Sequence, residues 1–209
     1  MKAVVIGATG ATGKVLVRQL LADDDYSFVE IFVRNDWDIQ HPKLICHVVD
    51  FEKIEQWKYL IEGDVAFSCL GTTLKDAGSR EKQWHIEYDY VVQFAQYCRA
   101  QGIRSFVVLS SKGASERSKI FYLKLKGMIE HAILSLHFEN TIIVRPSTLL
   151  RPNSTRKGEK FSIKLIRFLN RLGLYKSFRP VSVFDVAKCM RKESKQLTYR
   201  VSVIENTDI

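Results

Sequence analysis

The sequence predicts an α/β fold, a parallel sheet covered on both faces by helices. Three observations carry that expectation. Short β-branched runs alternate along the chain with stretches of helical periodicity, as in a parallel sheet joined by crossover helices. The first such run, 2–6, leads straight into a glycine-rich turn, Gly7-Ala8-Thr9-Gly10-Ala11-Thr12-Gly13. The length, 209 residues, suits one domain.

Taken in order, Lys-Ala-Val-Val-Ile over 2–6 reads as a buried strand. Apolar residues at 15, 16, 17, 20 and 21 predict a helix over 12–21. Residues 29–33 and 44–49 are the second and third strands, followed by a short helix over 52–61. Gly63-Asp64 turns the chain into a fourth strand, 65–70. A long helix over 81–100 ends near Gly102. A fifth strand over 105–109, a helix over 119–136 and a sixth strand over 141–144 follow, the last closed by Arg145 and stopped by Pro146. Beyond Pro146 the regularity weakens. A basic loop leads to helices near 160–172 and 185–196 and a last short strand near 199–204. The expected organisation is one domain over 1–209, with a core over 1–146 and a small substrate lobe over 147–209 integrated with it.

Composition narrows the class. Hydrophobic residues make up 46% and charged residues 26%, which excludes a disordered chain, a collagen-like chain and a small disulfide scaffold. No apolar run approaches the ~20 residues of a membrane span. The chain turns glycine-rich by residue 7, without the longer apolar stretch of a signal peptide, so a cytoplasmic location is expected. Cys46, Cys69, Cys98 and Cys189 have neither CxxC nor zinc spacing, so reduced thiols and no metal are expected. The net charge is +9. Much of it lies between Arg151 and Arg179, where nine Lys/Arg face one acid, Glu159. Such a patch attracts nucleic acid, anionic lipid or phosphorylated small molecules. Nothing in it looks like a base-reading motif, so nucleic acid is not expected.

The glycine turn follows a strand and opens a helix, the context a dinucleotide fingerprint requires. Glycine permits the tight turn and lets backbone approach a pyrophosphate, while the helix N-terminus offers free N–H groups. An NAD site usually carries an acid at the end of strand two, for the ribose 2′-hydroxyl. Here that position reads Val33-Arg34-Asn35. Arg34 offers a planar cation for a 2′-phosphate, so NADP(H) is expected over NAD(H). Asp50-Phe51, at the end of strand three, is placed to flank an adenine; Asp50 is equally placed to cap the helix that follows.

A second motif is Tyr122-Leu123-Lys124-Leu125-Lys126. On a helix Tyr122 and Lys126 share a face. A free tyrosine has a pKa near ~10, and a nearby ammonium makes it a better acid. Strand five ends Leu109-Ser110-Ser111-Lys112, and a serine there can hydrogen-bond a substrate oxygen. Ser110 and Ser111 are both candidates, with Ser111 favoured.

These motifs resemble the short-chain dehydrogenase/reductase superfamily in its atypical, single-domain branch, and within it the Tat-interacting protein family. The residues that carry the resemblance span 6–146. They are Ile6 to Gly13, Val49-Asp50-Phe51-Glu52-Lys53, Cys69-Leu70-Gly71-Thr72-Thr73, Leu109-Ser110-Ser111-Lys112-Gly113-Ala114, Tyr122 to Lys126, and Arg145-Pro146. The resemblance implies a Rossmann fold with sheet order 3-2-1-4-5-6, extended by a further short strand, and bound NADPH. It implies that Gly7, Thr9, Gly10, Ala11, Thr12 and Gly13 contact the pyrophosphate and that Arg34 takes the 2′-phosphate. Leu70, Gly71, Thr72 and Pro146 line the cofactor, and Arg156 lies near it. Tyr122 is the proton donor and Lys126 its partner, both also touching the cofactor. The family pairs two basic residues where this chain has Arg34-Asn35, and its C-terminal part is longer and less basic.

The expected function is hydride transfer from NADPH to a carbonyl-type small molecule. The alternative is a non-catalytic NADPH-binding regulatory or scaffold protein acting through the basic C-terminal lobe. In 160–172, apolar residues at 161, 165, 168, 169 and 172 oppose Lys164, Arg167 and Arg171. That helix suits either a wall of the substrate cleft or the docking of a membrane surface or protein partner.

Overall fold

The computed structural model describes residues 1–150, 178–196 and 200–209. The elements are β1 (Lys2–Ile6), α1 (Ala11–Leu21), β2 (Phe28–Val33), β3 (Leu44–Val48), β4 (Val65–Ser68), α2 (Leu74–Ala77), α3 (Arg80–Trp84), α4 (Tyr90–Ala100), β5 (Ser105–Leu109), α5 (Phe121–Leu134), β6 (Asn140–Arg145), β7 (Leu149–Leu150), β8 (Val181–Ser182), α6 (Val183–Glu193) and β9 (Val201–Glu205). Seven strands form one parallel sheet in the order β3-β2-β1-β4-β5-β6-β9. β7 and β8 pair separately. This is the Rossmann arrangement that the sequence predicts, and the extra strand is β9.

The strand period of two sorts the core onto the two faces. Ala3 and Val5 of β1, Ile31 of β2, Phe67 of β4 and Val107 of β5 point to one side, under α1 and α6. Val4, Ile6, Phe32, Ala66, Phe106 and Val108 point to the other, under α4 and α5. Both layers are dry: Leu16 and Leu20 of α1, Phe94 of α4 and Leu125 of α5 are fully buried.

The structure departs from the sequence-based expectation in three places. Residues over 52–61 form two 3-10 turns, 51–56 and 58–60, rather than one helix. Asp50 caps the first by accepting from Glu52 N–H at 3.0 Å, and Trp57 anchors its indole N–H on the Asp50 carbonyl at 2.9 Å. The long helix over 81–100 contains one π turn, His85–Asp89, between α3 and α4. The final strand, expected within the C-terminal lobe, is hydrogen-bonded along β6, with Ile143 opposite Val203. The basic helix near 160–172 and Arg156 lie outside the described residues.

α6 lies on α1, and an acid fixes the joint. Asp23, just past α1, pairs with Arg191 of α6 and, at 2.6 Å, with Lys195. Desolvation pushes the Asp23 carboxyl up, but hydrogen bonds from Lys195, the Asp25 backbone and Arg191 outweigh it and hold it at about 2, below the ordinary 3.8. A carboxyl depressed on folding contributes stability above its unfolded value and loses it as pH falls through its folded value. The Asp23 contribution is therefore full above 3.8 and fades through about 2. Asp23→Asn is expected to cost on the order of 1 kcal/mol at neutral pH and to flatten this stretch of the acid-unfolding curve, read by circular dichroism. A second test concerns α5. A Cβ on Gly127 would lie 2.3 Å from the Ser115 carbonyl carbon and 2.4 Å from the Glu116 nitrogen, both backbone atoms that cannot swing aside. Gly127→Ala is expected to lose about 1–3 kcal/mol in urea denaturation.

Candidate active site

Parallel sheets place their ligand clefts at the carboxyl ends of the strands, where the strand order reverses. Here that point lies between β1 and β4. A cleft of about 790 Å³ opens there. Its walls come from the glycine turn, the stretch after β4, the ends of β5 and β6, and the first turns of α5.

The glycine turn is built by close backbone approach. Gly7 has φ +74°, and a Cβ there would sit 2.4 Å from the Cys69 carbonyl carbon and the Leu70 nitrogen. Gly13 lies so close to Gly7 that a Cβ would fall 2.1 Å from the Gly7 oxygen. Gly10 donates its N–H to the Gly7 carbonyl at 3.0 Å and caps α1. Among the described residues no side chain caps α1, and its first turn carries no acid. Its leading N–H groups thus have no local anion and face a cleft lined by Gly10, Ala11 and Thr12. A pyrophosphate fits this donor set; the tight glycine packing leaves it backbone rather than side chains to meet. Thr9 is exposed at the crest of the turn.

The facing wall is Cys69-Leu70-Gly71-Thr72-Thr73. Thr72 is gripped at both ends. Its N–H donates to Glu87 Oε1 at 3.0 Å, and its carbonyl accepts from Gln83 Nε2 at 3.2 Å. Burial pushes the Cys69 thiol up to about 12 in spite of nearby Lys126, so it is no nucleophile at neutral pH.

Tyr122 and Lys126 both line the cleft from α5. The Lys126 ammonium is 5.9 Å from the Tyr122 ring centroid and 2.8 Å from Glu87 Oε2. Lys126 is almost wholly buried and Glu87 wholly so, with side-chain exposures of 6% and 0%. Burial pulls the Lys126 pKa down, but Glu87, with Tyr122 and Glu130, more than offsets it, and the ammonium is held above the ordinary lysine value.

The two serines at the end of β5 differ. Ser110 is buried and donates its hydroxyl to Glu130, which Arg145 also holds, with Nε at 3.0 Å and a terminal nitrogen at 2.5 Å. Ser111 is half-buried in the cleft wall. Pro146 lines the same wall, and its carbonyl accepts from Lys112 N–H at 2.8 Å.

Three residues expected to meet the far end of the cofactor are not among those lining the cleft. Arg34 is exposed just past β2, outside the cleft. Asp50 is exposed and occupied as the cap already described. Phe51 is buried in a ring cluster, 5.6 Å from Trp57 and 5.5 Å from Tyr90. Sequence reasoning missed Gln83 and Glu87. A signal was present: the buried stripe Val91, Phe94, Ala95 and Cys98, carried back in steps of four from Val91, lands on Glu87 and then Gln83. Polar residues on a buried stripe need partners, and here the partners are the cleft wall and Lys126.

Comparison with known proteins agrees with this geometry. A family model described as NAD(P)H-binding matches residues 7–190. Protein HTATIP2 of Rattus norvegicus is 35% identical over 160 residues, 74% of this chain and 66% of that protein. Protein FMP52, mitochondrial, of Saccharomyces cerevisiae is 33% identical over 164 residues, 76% of this chain and 71% of its own. Among solved structures, a Thermotoga maritima UDP-glucose 4-epimerase with UDP-glucose superposes with a TM-score of 0.74 at 14% identity, covering 98% of this chain and 77% of that one. A short-chain dehydrogenase family protein from Francisella tularensis has a TM-score of 0.70 at 15% identity, covering 99% and 98%. Identities this low speak to the fold alone. The FMP52 relatives, from several yeasts, are named mitochondrial, which overturns the expected cytoplasmic location. That expectation rested on the lack of a secretory signal, which does not bear on mitochondrial import. Fold, glycine turn and family match agree: the chain belongs to the NAD(P)H-binding family, on a Rossmann fold, as a homologue of HTATIP2 and FMP52.

Proposed function

We propose that the protein is a mitochondrial NADPH-dependent reductase of a carbonyl-type substrate. One observation carries the reading: Ser111, Tyr122 and Lys126 line the same cleft as the open N-terminus of α1. The mitochondrial location is supported by the names of the FMP52 relatives.

A nicotinamide cofactor bound along the glycine turn supplies hydride to the carbonyl carbon. The chain's own residues do the rest. Ser111 hydrogen-bonds the substrate oxygen and orients it. The Tyr122 phenol donates a proton to that oxygen as its charge develops. Lys126 sets the local field for that transfer. Leu74, Ile120 and Leu149 offer an apolar surface at the cleft, and the Arg80 guanidinium lies 5.4 Å over the Phe121 ring beside it.

NADPH preference is assigned to Arg34, the cation at the end of β2. Titration of the protein with NADPH and NADH, followed by nicotinamide fluorescence, is expected to show tighter NADPH binding. Arg34→Ala is expected to weaken NADPH by about tenfold or more and leave NADH nearly unchanged. Equal loss for both cofactors overturns the 2′-phosphate assignment. In a carbonyl screen with NADPH, Tyr122→Phe is expected to reduce kcat by about a hundredfold or more, with NADPH affinity retained. An unchanged kcat excludes Tyr122 as the proton donor.

A further inference from the structure

The helix over 80–100 is interrupted by the π turn His85–Asp89, and Glu87 is its central residue. Such turns are rare and recur at functional sites because they redirect a side chain. Here His85 and Asp89 face outward and pair with each other at 2.6 Å, while Glu87 is sealed inside. Its Oε1 accepts from Thr72 N–H at 3.0 Å and Gln83 Nε2 at 3.1 Å, and its Oε2 pairs with the Lys126 ammonium at 2.8 Å.

We propose that Glu87 is a positioning residue of the reductase site: it holds the Lys126 ammonium charged and fixed at the floor of the cleft, and couples it to the Thr72 wall. This rests on the reductase reading above. A buried lysine without a counter-charge gives up its proton, whereas one bound to a buried carboxylate keeps it. The other groups acting on Lys126 are the Tyr122 phenol and the Glu130 carboxylate, with the neutral Cys69 thiol also nearby. Glu130 is committed to Arg145 and Ser110, so Glu87 is the acid that Lys126 contacts. An ammonium has three protons. With Glu87 paired on one side, Lys126 still lines the cleft and can turn its protons toward it. Gly71 lies beside the pair, where an added Cβ would sit in ordinary van der Waals contact, 3.7 Å from Glu87 Oε2 and 3.9 Å from Lys126 Nζ.

Two substitutions separate charge from shape. Glu87→Gln keeps the shape and can still accept from Thr72, but removes the charge. Glu87→Asp keeps the charge and shortens the arm. The first readout is the pH titration of the Lys126 ¹³Cε resonance in the cofactor-free protein, identified by its absence in Lys126→Met. NADPH affinity and kcat are measured alongside. With Glu87→Gln the Lys126 midpoint is expected to fall by about two pH units or more relative to the native chain. The variant's kcat is expected to fall about tenfold or more, most severely on the alkaline side where Lys126 is neutral. Glu87→Asp is expected to stay nearer the native chain in both. An unmoved lysine titration in Glu87→Gln, or a harsher effect from Asp than from Gln, overturns the proposal. If Glu87→Gln alone does not fold, the neutral pair Glu87→Gln/Lys126→Met is expected to fold because no charge is left stranded; its unfolding also overturns the proposal. If no carbonyl is ever reduced, the reductase reading falls while the lysine titration still decides what Glu87 does.

Discussion

Backbone packed against backbone at Gly7 is the contact on which the rest of the site depends. The turn after β1 closes against Cys69 and Leu70 with no room for a single carbon atom. That contact brings the first helix and the stretch after β4 together as the two walls of one cleft. Gly13 repeats the device within the turn, seating the first turn of α1 against the Gly7 carbonyl. At Gly127 a third close approach presses α5 onto the loop carrying Ser111. Side chains do the chemistry, but the distances among them are set by places where side chains are forbidden.

Charge is buried at two neighbouring turns of α5. Near its start, Lys126 and Glu87 form a pair with almost no access to water. Further along, Glu130 joins Ser110 and Arg145, and Arg145 reaches on to Glu205 of β9 at 3.0 Å. Buried pairs of this kind add little net stability, because desolvation consumes most of the attraction. Their contribution is to fix geometry. The second network ties the serine strand, α5, β6 and the final strand together, so the β5 end cannot shift without disturbing a buried carboxylate.

Much of this fold was legible in the sequence. The alternation of strand and helix, the glycine turn and the Tyr–Lys spacing each reflect short-range rules of period and backbone freedom, while the order of the first six strands came with the family resemblance. What stayed hidden depended on long-range partners. The 3-10 turns after Asp50 arise from an indole reaching back seven residues to a carbonyl, which no local pattern encodes. Ser110 and Ser111 look alike in sequence; only Glu130, twenty residues away, distinguishes them. Glu87 was overlooked because an acid in a helix usually faces water. Its place on the buried stripe could have been seen, but its link to Lys126 could not.

The chain leaves the cleft wall through β7 and returns through β8, and these two strands pair, Leu149 with Val181 and Leu150 with Ser182. After β8 it runs into α6 and β9, which complete the sheet. The pairing thus ties the cleft wall at Leu149 to the start of α6, far along the chain. A shift of α6 on α1 would therefore be felt at the cleft wall through two short strands.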